Sequence, residues 1–197
     1  DQRLCVIPDG DLFRVLREGK AKIATDHIER FTPKGLKLAS GEEIEADIII
    51  TATGLDLQMF GGMALTVDGK LVKPGEGLMY KAVMLEGLPN VGMVFGYINA
   101  SWTLKADLSS SFICRLIKQM DAEGAAVAIP RAPAGQAEGD SILSSLGSGY
   151  VQRGQSQLPR QGRDLPWRVL HHYGKDTQML LGQPVDDGAL EFLPAKA

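Results

Sequence analysis

The sequence predicts an α/β fold, a layered sheet with β-hairpins and one long helix, and three observations carry that expectation. First, Ile48-Ile49-Ile50 runs into Thr51-Ala52-Thr53-Gly54 directly after the charged stretch Glu42-Glu43-Ile44-Glu45-Ala46-Asp47. A short β-branched run between turn signals reads as a strand covered on both faces. Second, Val91-Gly92-Met93-Val94-Phe95-Gly96 repeats that pattern after the break at Pro89-Asn90. Third, Leu104, Leu108, Phe112, Leu116 and Met120 recur every four residues with Ile113 and Ile117 beside them, a wide apolar stripe on a helix.

The remaining elements follow in chain order. Residues 11–19 read as a short helix, with Asp11 at its start and Gly19 at its end. Residues 22–31 alternate loosely and read as extended chain. Leu36-Lys37-Leu38, a Ser40-Gly41 turn and Glu43-Ile44-Glu45 predict a hairpin leading into the Ile48 strand. Asp68-Gly69, flanked by Leu65-Thr66-Val67 and Lys70-Leu71-Val72, suits a type I′ hairpin turn. Asn99 or Ser101 can cap the long helix, and Gly124 suits its stop. Residues 122–149 are rich in Ala, Gly, Pro and Ser and read as a linker or surface excursion. Two amphipathic pieces, near 150–158 and 167–181, precede an Asp186-Asp187-Gly188 turn and the short run 189–192. There is no internal repeat.

Bulk properties narrow the function classes. A formal charge of −3 over 197 residues, with no basic block, disfavours nucleic acid as a partner. No apolar run reaches membrane-spanning length and no leader peptide opens the chain, so neither a transmembrane segment nor export is expected. Cys5 and Cys114 read as reduced thiols of a cytoplasmic protein, with Cys114 on the apolar side of the long helix. His27, His171 and His172 form no ligand pattern with them, so no metal site is expected. The chain begins with Asp1 and is glycine-rich at 23 residues, which reads as a loop-rich portion of something larger.

Two places suit a ligand. Ala52, Thr53 and Gly54 keep the end of the Ile48 strand slim, and open α/β sheets bind ligands beyond the carboxyl ends of their strands. Asn99, Ala100 and Ser101 open the long helix, whose free N–H groups and positive dipole end can hold an anion or an electron-rich ring edge. A capped helix in an α/β core explains the second pattern equally well.

The stretch Asp1-Gln2-Arg3-Leu4-Cys5-Val6-Ile7-Pro8-Asp9-Gly10-Asp11-Leu12-Phe13 resembles a segment of the flavin-containing, NADPH-dependent monooxygenases. The resemblance is to the Baeyer–Villiger branch with the ethionamide-activating monooxygenase. It continues through Ile28-Glu29-Arg30-Phe31-Thr32, the 46–55 stretch, Gly96-Tyr97-Ile98-Asn99-Ala100-Ser101-Trp102-Thr103-Leu104-Lys105-Ala106-Asp107-Leu108, and the tail at 149–153, 158–162, 166–168 and 185–188. It implies FAD and NADPH as cofactors, O2 and a small organic compound as substrates, and oxygenation of ketones or of S and N centres through a flavin peroxide.

The resemblance also implies roles for individual residues. Arg3 matches the active-site arginine, where a permanent guanidinium suits developing negative charge. Thr51, Ala52, Thr53 and Gly54 match the strand linking the two nucleotide domains, and Asn99, Ala100 and Ser101 the turn facing the flavin. Trp102 and Tyr150 are the candidate substrate contacts, with core packing as the plainer role for both; Trp167 and Tyr173 stand behind them. Arg153, Arg160, Arg163, Arg168 and Lys175 read as a solvated basic face.

The family's two Gly-rich dinucleotide fingerprints do not occur in this sequence; Gly61-Gly62 is a loop. The chain is therefore expected to be the C-terminal part of a two-dinucleotide-binding-domain flavoprotein. Residues 1–54 would be the end of the NADPH domain and the linking strand, and 55–124 the return into the FAD-binding domain. Residues 125–149 would be a linker and 150–197 a C-terminal wrap. Both cofactors would need the missing N-terminal half of the enzyme, and the isolated chain is expected to be inactive. The rival readings are a non-catalytic binding module derived from this fold and a flavin-dependent N-hydroxylase. A disulfide reductase is disfavoured, since no closely spaced cysteine pair occurs.

Overall fold

The computed structural model describes residues 7–195. They divide into two compact units, the boundary falling between Gly54 and Leu55. The active-site arginine expected at Arg3, with Cys5 and the rest of that stretch, lies outside the described residues.

In the smaller unit a 3-10 turn at Pro8–Gly10 leads into α1 (Asp11–Arg17). As expected, Asp11 opens the helix, accepting from Arg14 at 2.7 Å, and the chain leaves through Gly19 at φ 69°. Three strands follow, β1 (Ile28–Thr32), β2 (Gly35–Leu38) and β3 (Glu43–Glu45), forming an antiparallel meander in that order. The β2–β3 hairpin is the expected one; the β1–β2 hairpin was not anticipated. A Cβ on Gly35 would lie 1.9 Å from the Ile44 carbonyl oxygen, so the close approach of β3 demands glycine there. Asp26 accepts from the backbone N–H groups of Ser40 and His27 at 2.9 and 2.7 Å. Hydrogen bonds from Ser40, then from His27, hold its carboxyl below the usual carboxylate range.

The Ile48 run departs from expectation. Residues 48–54 form no strand, and Ile48 and Ile50 are 80% and 86% exposed. A both-faces-buried strand needs a strand on its edge and layers above and below. Among the described residues none pairs with this run.

The larger unit begins with an irregular stretch and the expected hairpin of β4 (Thr66–Val67) and β5 (Lys70–Leu71). Asp68 and Gly69 take φ 49° and 78°, the two positive values of a type I′ turn. A second hairpin, β6 (Met79–Tyr80) with β7 (Met84–Leu85), turns through Lys81 and Ala82, at φ 50° and 54°. Residues 91–96, expected as a buried strand, are extended but carry only a single bridge, from Gly92 to Met84. Met93 N donates to Val83 O at 2.6 Å and its side chain is buried, whereas Val94 is 46% exposed.

The long helix is α2 (Trp102–Glu123), bounded by Ser101 and by Gly124 at φ 65°. Leu108, Phe112 and Leu116 form the buried stripe, as the spacing predicts, but Lys105 and Ser109 share it. Cys114 is exposed, contrary to expectation: it lies about 200° around the helix from Phe112, away from the core.

Next come β8 (Ala125–Pro130) and β9 (Ala137–Ser141), so the expected linker holds two strands. Then follow α3 (Gly149–Gly154), β10 (Arg160–Gly162), α4 (Tyr173–Thr177) continuing as a π turn at Gln178–Gly182, and β11 (Leu190–Pro194). β8 pairs with β11 and β9 with β10, both antiparallel. Partners 64 residues downstream, as for Ala128 and Phe192, explain why Ala-Ala-Val-Ala-Ile-Pro looks like a linker when read locally. The fold is thus mixed α/β, built from small antiparallel ribbons rather than one layered sheet.

The main core gathers Tyr80, Leu108, Phe112, Ala128, Trp167, Leu180 and Leu190. Tyr80 packs edge-on to Phe112 at 6.4 Å and tilted against Trp167 at 5.3 Å. Within this core Lys81 is fully buried, its Nζ 3.0 Å from Asp187 Oδ2 and 5.2 Å from the Phe112 ring centroid. Asp187 also accepts from the Tyr80 hydroxyl at 2.9 Å. Burial, then the Asp187 charge, pushes the Tyr80 phenol well above its usual value. Lys81→Met should leave Asp187 without its cation and lower the unfolding free energy by about 2–4 kcal/mol in urea titration. Lys73→Met, which breaks the exposed pair with Glu76, should change it by less than about 1 kcal/mol.

Candidate functional site

The larger unit contains an apolar cavity of about 550 Å³. Leu57, Met59 and Phe60 form one side, Phe95, Ile98 and Trp102 a second, and Leu143, Leu146, Tyr150 and Leu158 the rest. Gln58 is its one amide-bearing wall residue. Such a volume suits a small organic molecule, held by apolar contact with few polar anchors.

Trp102 owes its place on the wall to Gly96. A Cβ on Gly96 would lie 2.0–2.5 Å from three indole atoms, so the ring rests directly on the bare backbone. Trp102 is nevertheless 54% exposed, so it is not a core residue. It opens α2 because Ser101, at φ −61° and ψ 135°, is extended just ahead of it; the Ser101 hydroxyl lies 2.8 Å from that of Thr103. Tyr150 follows the first residue of α3, and Arg153 of that helix donates to the Leu55 carbonyl at 3.2 Å.

Beside the cavity is a polar recess of about 490 Å³. Asn99, Asp140, Ser144, Gln161, Arg168 and His171 line it, and Ile98 stands on the wall of both spaces. Between them a small enclosed pocket takes Phe95, Gly96 and Leu143 from the apolar cavity and Ile142, Val169 and His171 from the polar recess. Its polar members are Lys105, Asp176, Tyr97 and His171. Lys105 and Asp176 form an ion pair at 3.1 Å with both side chains buried. Burial lowers the Lys105 pKa and the Asp176 charge opposes that shift. Burial, then the Asp176 carboxylate, raises that of Tyr97. Burial likewise lowers the His171 pKa from its usual 6.5, and one ring nitrogen lies 3.1 Å from the Ile142 carbonyl oxygen.

The sequence-predicted residues are therefore distributed as follows. Trp102 and Tyr150 line the same cavity. Asn99, Ala100 and Ser101 are exposed at the start of α2, with Asn99 on the polar recess. Thr51, Ala52, Thr53 and Gly54 are exposed residues of the smaller unit, without strand structure. Trp167 is buried in the core and Tyr173 is half exposed, so neither is on the cavity wall. Sequence reasoning missed Lys105, Asp176 and His171. Lys105 left a trace, since it sits on the buried stripe three and four residues before Leu108 and Ser109; Asp176 and His171 left none. Among the described residues no cluster of His, Cys, Asp or Glu could hold a metal ion, and no helix is long and apolar enough to cross a membrane.

The start of α2 fits the edge of a flat heteroaromatic group. A helix of 22 residues presents free N–H groups there, and Asn99, Ala100 and Ser101 stand clear of the core. A pyrophosphate has no glycine-rich strand–turn–helix cradle in this sequence.

No family-level sequence model matches the chain. Individual proteins do. The chain is 52% identical over 195 residues to MymA of Mycobacterium tuberculosis, a protein provisionally named as an FAD-containing monooxygenase. It is 47% identical over 192 residues to AlmA of an Acinetobacter species, provisionally named as an FAD-binding monooxygenase. It is also 47% identical over 192 residues to the FAD-containing monooxygenase EthA of M. tuberculosis. These matches cover 98–99% of this chain but 39% of each relative.

Two outcomes follow from the geometry. Gly96→Ala should drive the indole off its seat, shifting Trp102 emission and costing about 1–3 kcal/mol of stability in denaturant unfolding. For His171, the unfolded imidazole takes up a proton near pH 6.5, before the buried folded one does. Stability is therefore lost as pH falls below 6.5. The difference between the wild-type and His171→Asn stability profiles should show that loss, because asparagine tolerates φ 49° and does not titrate.

Proposed function

Because the chain is homologous over nearly its whole length to FAD-containing monooxygenases while spanning about two fifths of theirs, we propose that it is the C-terminal portion of such an enzyme. The parent enzyme uses FAD, NADPH and O2 to oxygenate a small apolar ketone or an S or N centre. The observation that carries this reading is the cavity of about 550 Å³ beside the exposed start of α2, with Trp102 and Tyr150 on its wall.

The residues of this chain have distinct tasks in that reading. The apolar wall binds the substrate's hydrocarbon part and excludes water, which strengthens electrostatic interactions within the site. Trp102 and Tyr150 orient it by contact with their faces. Asn99, Ala100 and Ser101 would hold the flavin of FAD, and residues 51–54 would serve the nicotinamide cofactor. FAD, when bound, supplies the oxygen-activating chemistry. Arg3, outside the described residues, is the cation that holds negative charge at the reacting centre. The pyrophosphate cradles belong to the N-terminal half, so this chain alone binds neither cofactor tightly.

The test is a fusion of this chain to the N-terminal three fifths of EthA. The fusion should carry yellow flavin absorbance and consume NADPH and oxygen in the presence of a ketone, with ester as the product. Arg3→Ala in the fusion should lower turnover by at least about 100-fold while flavin stays bound. A flavin-loaded fusion that makes hydroxylamines instead would favour the N-hydroxylase reading. A loaded fusion with no oxygenation of any kind would leave the binding-module reading in possession. The isolated chain should show no turnover with FAD and NADPH, and activity there would overturn its assignment as a part.

A further inference from the structure

The enclosed pocket between the apolar cavity and the polar recess holds chemistry that apolar substrate binding does not use. Asp176 is 1% exposed and Lys105 3%, their Nζ–Oδ1 distance being 3.1 Å. An ionised carboxylate offers about four acceptor positions, and a buried one is costly while those positions go unfilled. Beyond Lys105 and the Tyr97 hydroxyl, neither Asp176 oxygen has a donor among the described residues. Lys105 carries three N–H donors, and its ion pair uses one.

Size decides what can complete this set. The pocket has a cavity volume of about 10 Å³. That is close to the ~10–15 Å³ that one internal water needs, and far below any organic ligand. Its polar lining comes from Lys105, Asp176, Tyr97 and His171, which meets the further condition of two to four hydrogen-bonding partners.

We propose that this pocket is a binding site for a single internal water, which donates to Asp176 and accepts from Lys105. The water completes the hydrogen bonding of the pair. It also ties α4 to the first turn of α2, three residues after Trp102. Phe95, Gly96 and Leu143 form the wall shared with the apolar cavity, so the hydrated pair is the polar backing of that wall. The site stands whether or not the oxygenase reading does, because it rests on this chain's own side chains.

The deciding experiment is a crystal structure of the wild-type chain at a resolution that shows waters. It should contain an ordered water within hydrogen-bonding distance of both Asp176 and Lys105 Nζ. Inward collapse of Met79 or Ile142 to fill the space, or clear absence of density beside a direct ion pair, overturns the proposal. Oxygen-17 relaxation dispersion in solution provides the second readout. Wild type should hold one more long-lived water than the double variant Lys105→Met/Asp176→Leu, and equal numbers would overturn the proposal. If circular dichroism shows that the double variant does not fold, the wild-type density alone decides.

Discussion

The packing of the α2 face against the C-terminal third of the chain is the contact on which the rest of the larger unit depends. Leu108, Phe112 and Leu116 supply the stripe, while Trp167, Met179, Leu180, Val185 and Leu190 close over it. Two cations of α2 fasten the same contact, and a third, Lys81 of the β6–β7 turn, sits beside Phe112. Lys81 pairs with Asp187 and Lys105 with Asp176, and Arg115 donates to the Leu180 and Gln183 carbonyls. Both lysines are buried, so breaking either pair leaves a charge in the interior. The β8–β11 ribbon exists only because this packing brings residues 125 and 194 side by side.

The cavity is a by-product of where that helix begins. Burial of α2 starts at Lys105, one turn inside the helix, so its first residues project beyond the core. Trp102 is caught there against Gly96, and the indole becomes a wall rather than core. The exposed turn at Asn99, Ala100 and Ser101 follows from the same geometry. A helix start with free N–H groups next to an apolar space joins an electrostatic feature to a hydrophobic one.

Features were legible in the sequence where the physics is local. Asp68-Gly69 demands positive φ at two successive residues, so the hairpin follows from the dipeptide. The four-residue recurrence from Leu104 to Met120 and the stop at Gly124 specify α2 to within a few residues. The Ile48 run shows the opposite. Three consecutive isoleucines have strong strand propensity, yet propensity yields a buried strand only when a neighbour takes up the backbone groups. The Ala- and Pro-rich stretch after Gly124 failed in the other direction, since its partner strand lies at the far end of the chain. Trp102 and Tyr150 were legible as aromatic candidates, but nothing in their spacing says that they share one cavity.

By itself the sequence determined the helix, the Asp68-Gly69 hairpin, the absence of a glycine-rich phosphate cradle, and the resemblance to flavin-dependent monooxygenases. Those properties are written in residues close together or in matched strings. Tertiary structure alone decided that Lys105 meets Asp176, that Lys81 enters the core, and that Gly96 seats the Trp102 indole. The reason is that burial and close approach are set by residues distant in the chain. Lys105 and Asp176 are 71 positions apart, and only folding makes one the counter-ion of the other.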